Sequence, residues 1–104
     1  MARLIWTEPA LVALDHIAKY IAIDSPQAAS RFVEKVFGGV ERLRAHPMSG
    51  KRPTELTRTP YRDVVVPSCR VFYRVAKDDV YILYVMRSER LLRSYLLQVR
   101  QHDK

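Results

Sequence analysis

The chain has 104 residues, 48% of them hydrophobic, and carries a formal net charge of +7. This length suits one domain with a real core, and the chain has neither an apolar run long enough to cross a bilayer nor a signal peptide. We therefore expect a single cytoplasmic domain over residues 1–104 that does not enter a membrane. The basic balance alone favours nucleic acid, an anionic surface or an acidic protein as partner, without choosing between them.

The first part of the chain predicts a strand followed by a helix. Residues 3–6 are apolar and indicate a strand that joins a later sheet, with Trp6 in the core. Thr7 can cap the following helix, and Pro9 is tolerated in its first turn. The apolar residues of this helix recur at spacings of four, three and four, which places them on one face: Ala10, Leu14, Ile17 and Ile21.

A second helix is predicted from Ser25 and Pro26 to about Ala45. The short connection makes the two helices an antiparallel hairpin. The pair Gly38-Gly39 lies inside this helix, where each glycine costs roughly 0.8–1 kcal/mol relative to alanine. We interpret the pair as a close approach to the first helix or to the sheet, and a kink is the alternative.

The second half of the chain predicts a long loop, three strands and a terminal helix. Residues 46–60 contain Gly50 and three prolines, and a loop of this length is functional or covers another surface. The segments after it are rich in Val, Ile, Tyr and Phe, which suit strands. The predicted strands and helix are residues 61–66, 70–75, 80–86 and 88–100.

Strict alternation on the last strand would put Val80, Ile82, Tyr84 and Met86 on the face opposite to Tyr81, Leu83 and Val85. Both faces are then largely apolar, so we expect helices on one face and another segment over part of the other. The sequence predicts an α+β fold: strand, helix, helix and three strands, forming a mainly antiparallel sheet with a helical hairpin on one face and a short C-terminal helix.

Cys69 is the only cysteine, which excludes an internal disulfide. No histidine or cysteine cluster surrounds it in sequence, so we expect no metal site. Its position after Pro67 predicts an ordinary turn thiol rather than a nucleophile.

A set of residues spread along the chain resembles a known family in order and spacing. The set is Trp6, Ala10, Leu14, Ile17, Tyr20-Ile21, Ala28-Ala29, Phe32, Leu43, Pro47, Gly50, Tyr61-Arg62, the run 70–74, the run 80–83 and Arg87. Together they resemble the RelE/ParE superfamily of toxins from type II toxin–antitoxin modules, over nearly the whole chain. The resemblance implies a small toxin that a cognate antitoxin wraps, burying apolar surface and bringing acids to its basic groups.

The superfamily splits by function, and the resemblance implies one of two activities. RelE-like members cleave mRNA in the ribosome, whereas ParE-like members poison DNA gyrase without chemistry of their own. The long helical hairpin and the run Val-Pro-x-x-Arg-Val-Phe-Tyr-Arg at residues 66–74 are similar to ParE.

The nuclease pattern is met only in part. Cleavage by 2′-hydroxyl attack needs an acid, a base and cations on the phosphate. Tyr95 could match the terminal tyrosine of the nucleases, but it lies on the apolar stripe of the predicted last helix. A serine and two leucines also interrupt the basic residues that the nucleases place after the last strand. Cations could come from Lys51, Arg52, Arg62, Arg70, Arg87 and Arg90.

We therefore expect a ParE-like toxin that inhibits DNA gyrase by protein contact, is neutralised by an antitoxin, and has no catalytic residue, metal or cofactor. Direct contact with nucleic acid is compatible with its charge. The alternatives are a ribosome-dependent mRNA endonuclease and a non-toxic basic interaction module. The residues expected to bind the target or the antitoxin lie on the sheet and its exit: Arg70, Arg74, Arg87 and Arg90.

Overall fold

In the computed structural model, which describes residues 1–56 and 58–88, two helices pack on a four-stranded sheet. The elements are β1 (Arg3–Trp6), α1 (Glu8–Asp24), α2 (Pro26–Val40), a 3-10 helix (Glu41–Arg44), β2 (Arg62–Val66), β3 (Cys69–Ala76) and β4 (Asp79–Arg87). This order confirms the predicted α+β arrangement. The predicted C-terminal helix lies, apart from its first residue, outside the described residues.

The sheet has the strand order β1-β4-β3-β2. β1 runs parallel to β4, and the other two pairs are antiparallel, so the sheet is mainly antiparallel, as expected. Two tight turns join the antiparallel strands. Ser68 and Lys77 have φ values of 69° and 57° in these turns, the left-handed region that lets a chain reverse over few residues.

Thr7 fixes the start of α1 against the sheet. Its hydroxyl donates to the carbonyl oxygen of Ile82 at 2.7 Å and accepts from the amide of Ala10 at 3.4 Å. The hydroxyl therefore caps the helix and ties it to β4 at the same time, in a buried position. Within the described part of the chain, neither α1 nor α2 is long and apolar enough to cross a membrane.

The main core lies between the sheet and the two helices. The predicted face of the first helix is confirmed: its inward residues, together with those of α2, pack on the sheet. Burial of these apolar side chains supplies the main stabilisation of such a layered domain. The most deeply buried helical and 3-10 residues are Ala10, Val36, Val40 and Leu43.

One glycine of the Gly38-Gly39 pair lets α2 approach the sheet. A Cβ atom on Gly39 would lie 2.3 Å from Cγ1 of Val66 in β2, which is too close for any side chain. A Cβ atom on Gly38 would meet nothing within 4 Å. The expected close approach is thus to the sheet, and it depends on Gly39 alone.

A β-bulge changes the faces of β4. The register with β3 shifts between Phe72 and Tyr73, which pair with Tyr84 and Ile82, so that Leu83 is an extra residue. The predicted strict alternation is therefore wrong beyond Leu83. Leu83 lies on its predicted face, away from the helices, whereas Val85 turns towards them.

The sheet face away from the helices carries a second apolar cluster of Tyr61, Phe72, Leu83 and Met86. Leu56, from the loop between the 3-10 helix and β2, packs against it. This confirms that a segment other than the helices covers part of this face. We call it the outer face below.

Cys69 was predicted to be a turn thiol, and this is wrong. It is the first residue of β3 and is fully buried in the main core. The turn needs only Pro67 and Ser68, because Ser68 adopts the left-handed conformation, and the strand therefore starts one residue earlier than the pattern indicated.

Candidate partner-binding surface

Arg70 is held inside the chain on the outer face of β3. Its guanidinium donates to both carboxylate oxygens of Glu55, at 2.8 and 2.9 Å, and to Oδ2 of Asp63 at 3.1 Å. Only 13% of the Arg70 side chain and none of the Asp63 side chain is exposed. The hydrogen bonding of the guanidinium to Glu55 is the main reason that the pKa of Arg70 is raised, so its charge is permanent. Arg70 thus fastens the loop that carries Glu55 to the sheet.

Arg74 lies four residues further along β3 on the same outer face, with Phe72 between the two arginines. It is half-buried, and within the described residues its Nε has no hydrogen-bond partner. Its charge acts on Tyr61: burial raises the pKa of that phenol, and Arg74 opposes the shift. Within the described residues, Arg74 thus differs from Arg70 in having no carboxylate partner.

Arg87 lies at the end of β4 and faces the helices rather than the outer face. Its guanidinium carbon is 5.4 Å from the ring centroid of Tyr20 in α1, a cation–π distance. The Tyr20 side chain is 63% exposed, an unusual degree for an aromatic residue that lies beside a core. Arg87 and Tyr20 together form a rim at this edge of the molecule.

Tyr20 and Arg87 border two adjoining depressions, and we call the two depressions together the α1 groove. β1 ends opposite Ile82, so the last residues of β4 extend past it beside α1. The first depression, of about 460 Å³, lies between α1 and the end of β4, and the second, of about 370 Å³, extends to α2 and the β2–β3 turn. Both are open to solvent, and they share Ile17, Tyr20 and Arg87.

The α1 groove combines an apolar floor with a basic rim. Its floor includes Ile21 and Phe32, and Arg31 and Lys35 stand on α2 beside it. Among the described residues, no carboxylate lines either depression. A surface of this kind suits an amphipathic segment that carries acidic side chains, because the apolar face can be buried while the acids meet the cations.

The four predicted arginines do not form one site. Arg70 and Arg74 are on the outer face, Arg87 borders the α1 groove on the other side of the sheet, and Arg90 lies outside the described residues. Their contact with a partner stays a prediction. Sequence reasoning missed Arg31 and Lys35, although their spacing of four on an otherwise polar side of α2 could have indicated a basic stripe.

Two further cations of the nuclease pattern are engaged within the chain. The Arg62 guanidinium donates to the carbonyl oxygens of Gly50 at 2.8 Å and Met48 at 3.3 Å. Arg52 donates to the carbonyl oxygen of Thr59 at 2.9 Å. These two side chains, like Arg70, hold the loop before β2 in place.

Comparison with known proteins identifies the family. A family model described as the ParE toxin of the type II toxin–antitoxin system parDE matches residues 4–92. The chain belongs to the ParE toxin family. It is 39% identical over 88 residues to a protein named toxin Y4kP from Sinorhizobium fredii, covering 83% of this chain and 88% of that protein.

Two other similar proteins extend the comparison. A protein named Toxin RelE2 from Caulobacter vibrioides is 34% identical over 91 residues, which covers 88% of this chain and 100% of that protein. A solved structure of the chromosomal ParDE TA system from P. aeruginosa matches with a TM-score of 0.73 at 26% identity. That match covers 86% of this chain and 98% of the other. The chain is thus a toxin of the ParDE type, with the fold that this structure shares.

Proposed function

We propose that this ParE-family toxin inhibits DNA gyrase by binding it, holds the enzyme on cleaved DNA, and is neutralised by a cognate antitoxin. The family match over residues 4–92 carries this proposal. The open surfaces support it, because the grooves of the described chain are shallow contact surfaces rather than enclosed cavities for a small substrate.

The internal contacts of Arg62 and Arg70 also support a mechanism without chemistry. A nuclease of this superfamily would need cations that are available to a scissile phosphate. Here Arg62 donates to two carbonyl oxygens and Arg70 to two carboxylates, so both are committed to holding the loop. Moving either cation to a phosphate would leave buried acceptors without a donor.

The α1 groove is the surface that we assign to the antitoxin. The antitoxin segment would place apolar side chains over Ile17 and Phe32 and acids against Arg31 and Lys35. Tyr20 offers an exposed aromatic ring at the centre of this surface, which is typical of residues that dominate interface energy.

An mRNA endonuclease is the second candidate, because one relative carries the name Toxin RelE2. A single set of experiments separates the two. Purified toxin is added to a gyrase supercoiling reaction and, in parallel, to a translation extract with a labelled mRNA. Loss of supercoiling with intact mRNA supports the gyrase proposal. Cleavage of the mRNA at defined codon positions, with gyrase activity unaffected, would establish the nuclease instead. Normal growth of cells that overexpress the protein without antitoxin would indicate a non-toxic protein.

The antitoxin surface is tested by the double substitution Arg31→Gln/Lys35→Gln. Both side chains are exposed, and neither forms an ion pair within the described residues, so the domain should fold normally. Antitoxin binding should weaken by about tenfold for two lost charge contacts of about 0.7 kcal/mol each. Lys51→Gln/Arg58→Gln removes the same charge elsewhere and is the matched control. Equal losses in both variants would contradict the assignment.

A further inference from the structure

More than half of the net positive charge lies in one short segment. Residues 41–62 contain six cations and two carboxylates, which gives a net charge of +4, against +7 for the whole chain. This segment lines neither depression of the α1 groove. Its positive charge therefore lies on a different surface, which we call the loop edge. The cations of the loop edge are Arg42, Arg44, Lys51, Arg52, Arg58 and Arg62.

The loop edge is held to the sheet by several buried contacts. The Tyr73 hydroxyl donates to the carbonyl oxygen of Pro47 and accepts from the amide of Gly50, both at 2.8 Å. Lys51 and Asp63 exchange two backbone hydrogen bonds, at 2.8 and 3.0 Å. A Cβ atom on Gly50 would lie 2.5 Å from the Tyr73 oxygen, so only glycine permits this approach. The loop cations thus stand on a fixed support.

The same contacts bring the cations together. Arg52 reaches the carbonyl of Thr59, next to Arg58, so the two sides of the loop meet. Burial raises the pKa of Tyr73, and the Gly50 amide, followed by the charges of Arg62 and Arg42, opposes that shift. The last two cations are therefore near the Tyr73 hydroxyl at the base of the loop.

Both carboxylates of the segment are already neutralised. Glu55 is paired with Arg70 at 2.8 Å, and Glu41 with Arg44 at 2.9 Å. Lys51 and Arg58 are exposed, and neither side chain has a hydrogen bond or ion pair within the described residues. The outward potential of the loop edge is therefore positive, without an acid to weaken it.

The composition of the loop edge favours duplex nucleic acid over other anions. Sites for single strands add large aromatic rings on which bases stack, but Tyr61, the one Phe, Tyr or Trp residue of the segment, is only 4% exposed. An acidic protein segment would be expected to bury apolar surface, and Met48 is the one large apolar side chain exposed there in the described chain. Charge without stacking or an apolar floor matches a phosphate backbone.

We propose that the loop edge binds the phosphate backbone of duplex DNA, with Lys51 and Arg58 as the contacting side chains. This inference rests on the proposed gyrase target, since a toxin bound to gyrase on cleaved DNA lies beside a duplex. The contacts would be independent of base sequence and would orient the toxin while the rest of its surface binds protein.

The test measures binding of purified toxin to a short DNA duplex of mixed sequence at several salt concentrations. Each neutralised phosphate contributes about 0.9 to the slope of log K against log salt. Lys51→Gln/Arg58→Gln should therefore lower the slope by about 1.8 and weaken binding on the order of tenfold. Arg31→Gln/Lys35→Gln removes the same charge from α2 and should leave the slope unchanged. Thermal melting confirms that both variants are folded.

Several outcomes would overturn the inference: no duplex binding by the wild-type chain at low salt, equal losses in the two double variants, or no loss in either. Tighter binding of single-stranded RNA than of duplex DNA would assign the surface to another ligand. The gyrase supercoiling assay distinguishes a failure of this DNA contact from a failure of the proposed gyrase target. Undiminished gyrase inhibition by Lys51→Gln/Arg58→Gln would reject the DNA contact alone, whereas duplex binding without gyrase inhibition would reject the target alone.

Discussion

Because Arg70 forms ion pairs with Glu55 and Asp63, we expect this arginine to stabilise the domain. The substitution Arg70→Met tests that expectation. Methionine keeps an unbranched apolar stem but removes the guanidinium, whose central carbon lies 4.8 Å from the centroid of the Phe72 ring. Asp63 would then be a fully buried carboxylate without its cation. Breaking such a pair costs about 3–5 kcal/mol, and the 13% exposure of Arg70 favours about 3 kcal/mol. For a chain of this size, that corresponds to a loss of about 12–15 °C in Tm.

Urea unfolding followed by circular dichroism measures this loss, and two further variants test its cause. Asp63→Asn in the Arg70→Met background removes the unpaired charge and should recover about 2 kcal/mol. Arg74→Met changes the neighbouring arginine of the same face, which has no ion pair within the described residues, and should cost no more than about 1 kcal/mol. Equal losses at the two arginines, or no recovery with Asp63→Asn, would refute the reasoning.

Two other predictions concern the loop and the second helix. Tyr73→Phe removes the hydrogen bonds of the hydroxyl to the Gly50 amide and to the Pro47 carbonyl oxygen, and should lower the free energy of unfolding in urea by about 1–3 kcal/mol. Because burial raises the pKa of Tyr73 in the folded state, its wild-type contribution to stability persists below pH 10 and falls as the pH rises through the folded pKa. The alkaline decline should therefore be smaller in Tyr73→Phe, which keeps only the decline that comes from Tyr61. Gly39→Ala should destabilise by about 1–2 kcal/mol, since overpacking against Val66 exceeds the gain in helix propensity, whereas Gly38→Ala should stabilise by up to about 1 kcal/mol. The first expectation would be contradicted if the stability of the wild-type chain and of Tyr73→Phe fell in the same way at alkaline pH. The second would be contradicted if Gly38→Ala and Gly39→Ala were equally stable.

The secondary structure could be predicted because its signals are local. Thr7 and Ser25 cap α1 and α2 as expected, and the apolar spacing within each helix fixes which side is buried. The strands were located to within a residue or two by their β-branched and aromatic content. The alternation of β4 failed only after Leu83, because a bulge arises from packing between β3 and β4 and leaves no mark in either strand alone.

The surfaces could not be predicted to the same extent, because they depend on contacts between distant parts of the chain. Arg70 stands next to neutral residues in sequence, and only folding brings it to Glu55 and to the buried Asp63. The α1 groove likewise joins residues from two helices and a strand, so a search for arginines on the strands found Arg87 but not Arg31. Charge alone indicated an anionic partner, and the fold divides that charge between two surfaces.

The claim that the toxin binds its target without transforming it is tested most directly by titrating toxin against a fixed amount of gyrase and DNA. A binding inhibitor should trap broken DNA in proportion to the toxin added, up to a plateau reached when gyrase is saturated. The account predicts this stoichiometric curve, with the toxin recovered intact on gyrase. The account would be contradicted if toxin at a small fraction of the gyrase concentration inhibited gyrase completely, or if no broken DNA were trapped when gyrase is saturated with toxin.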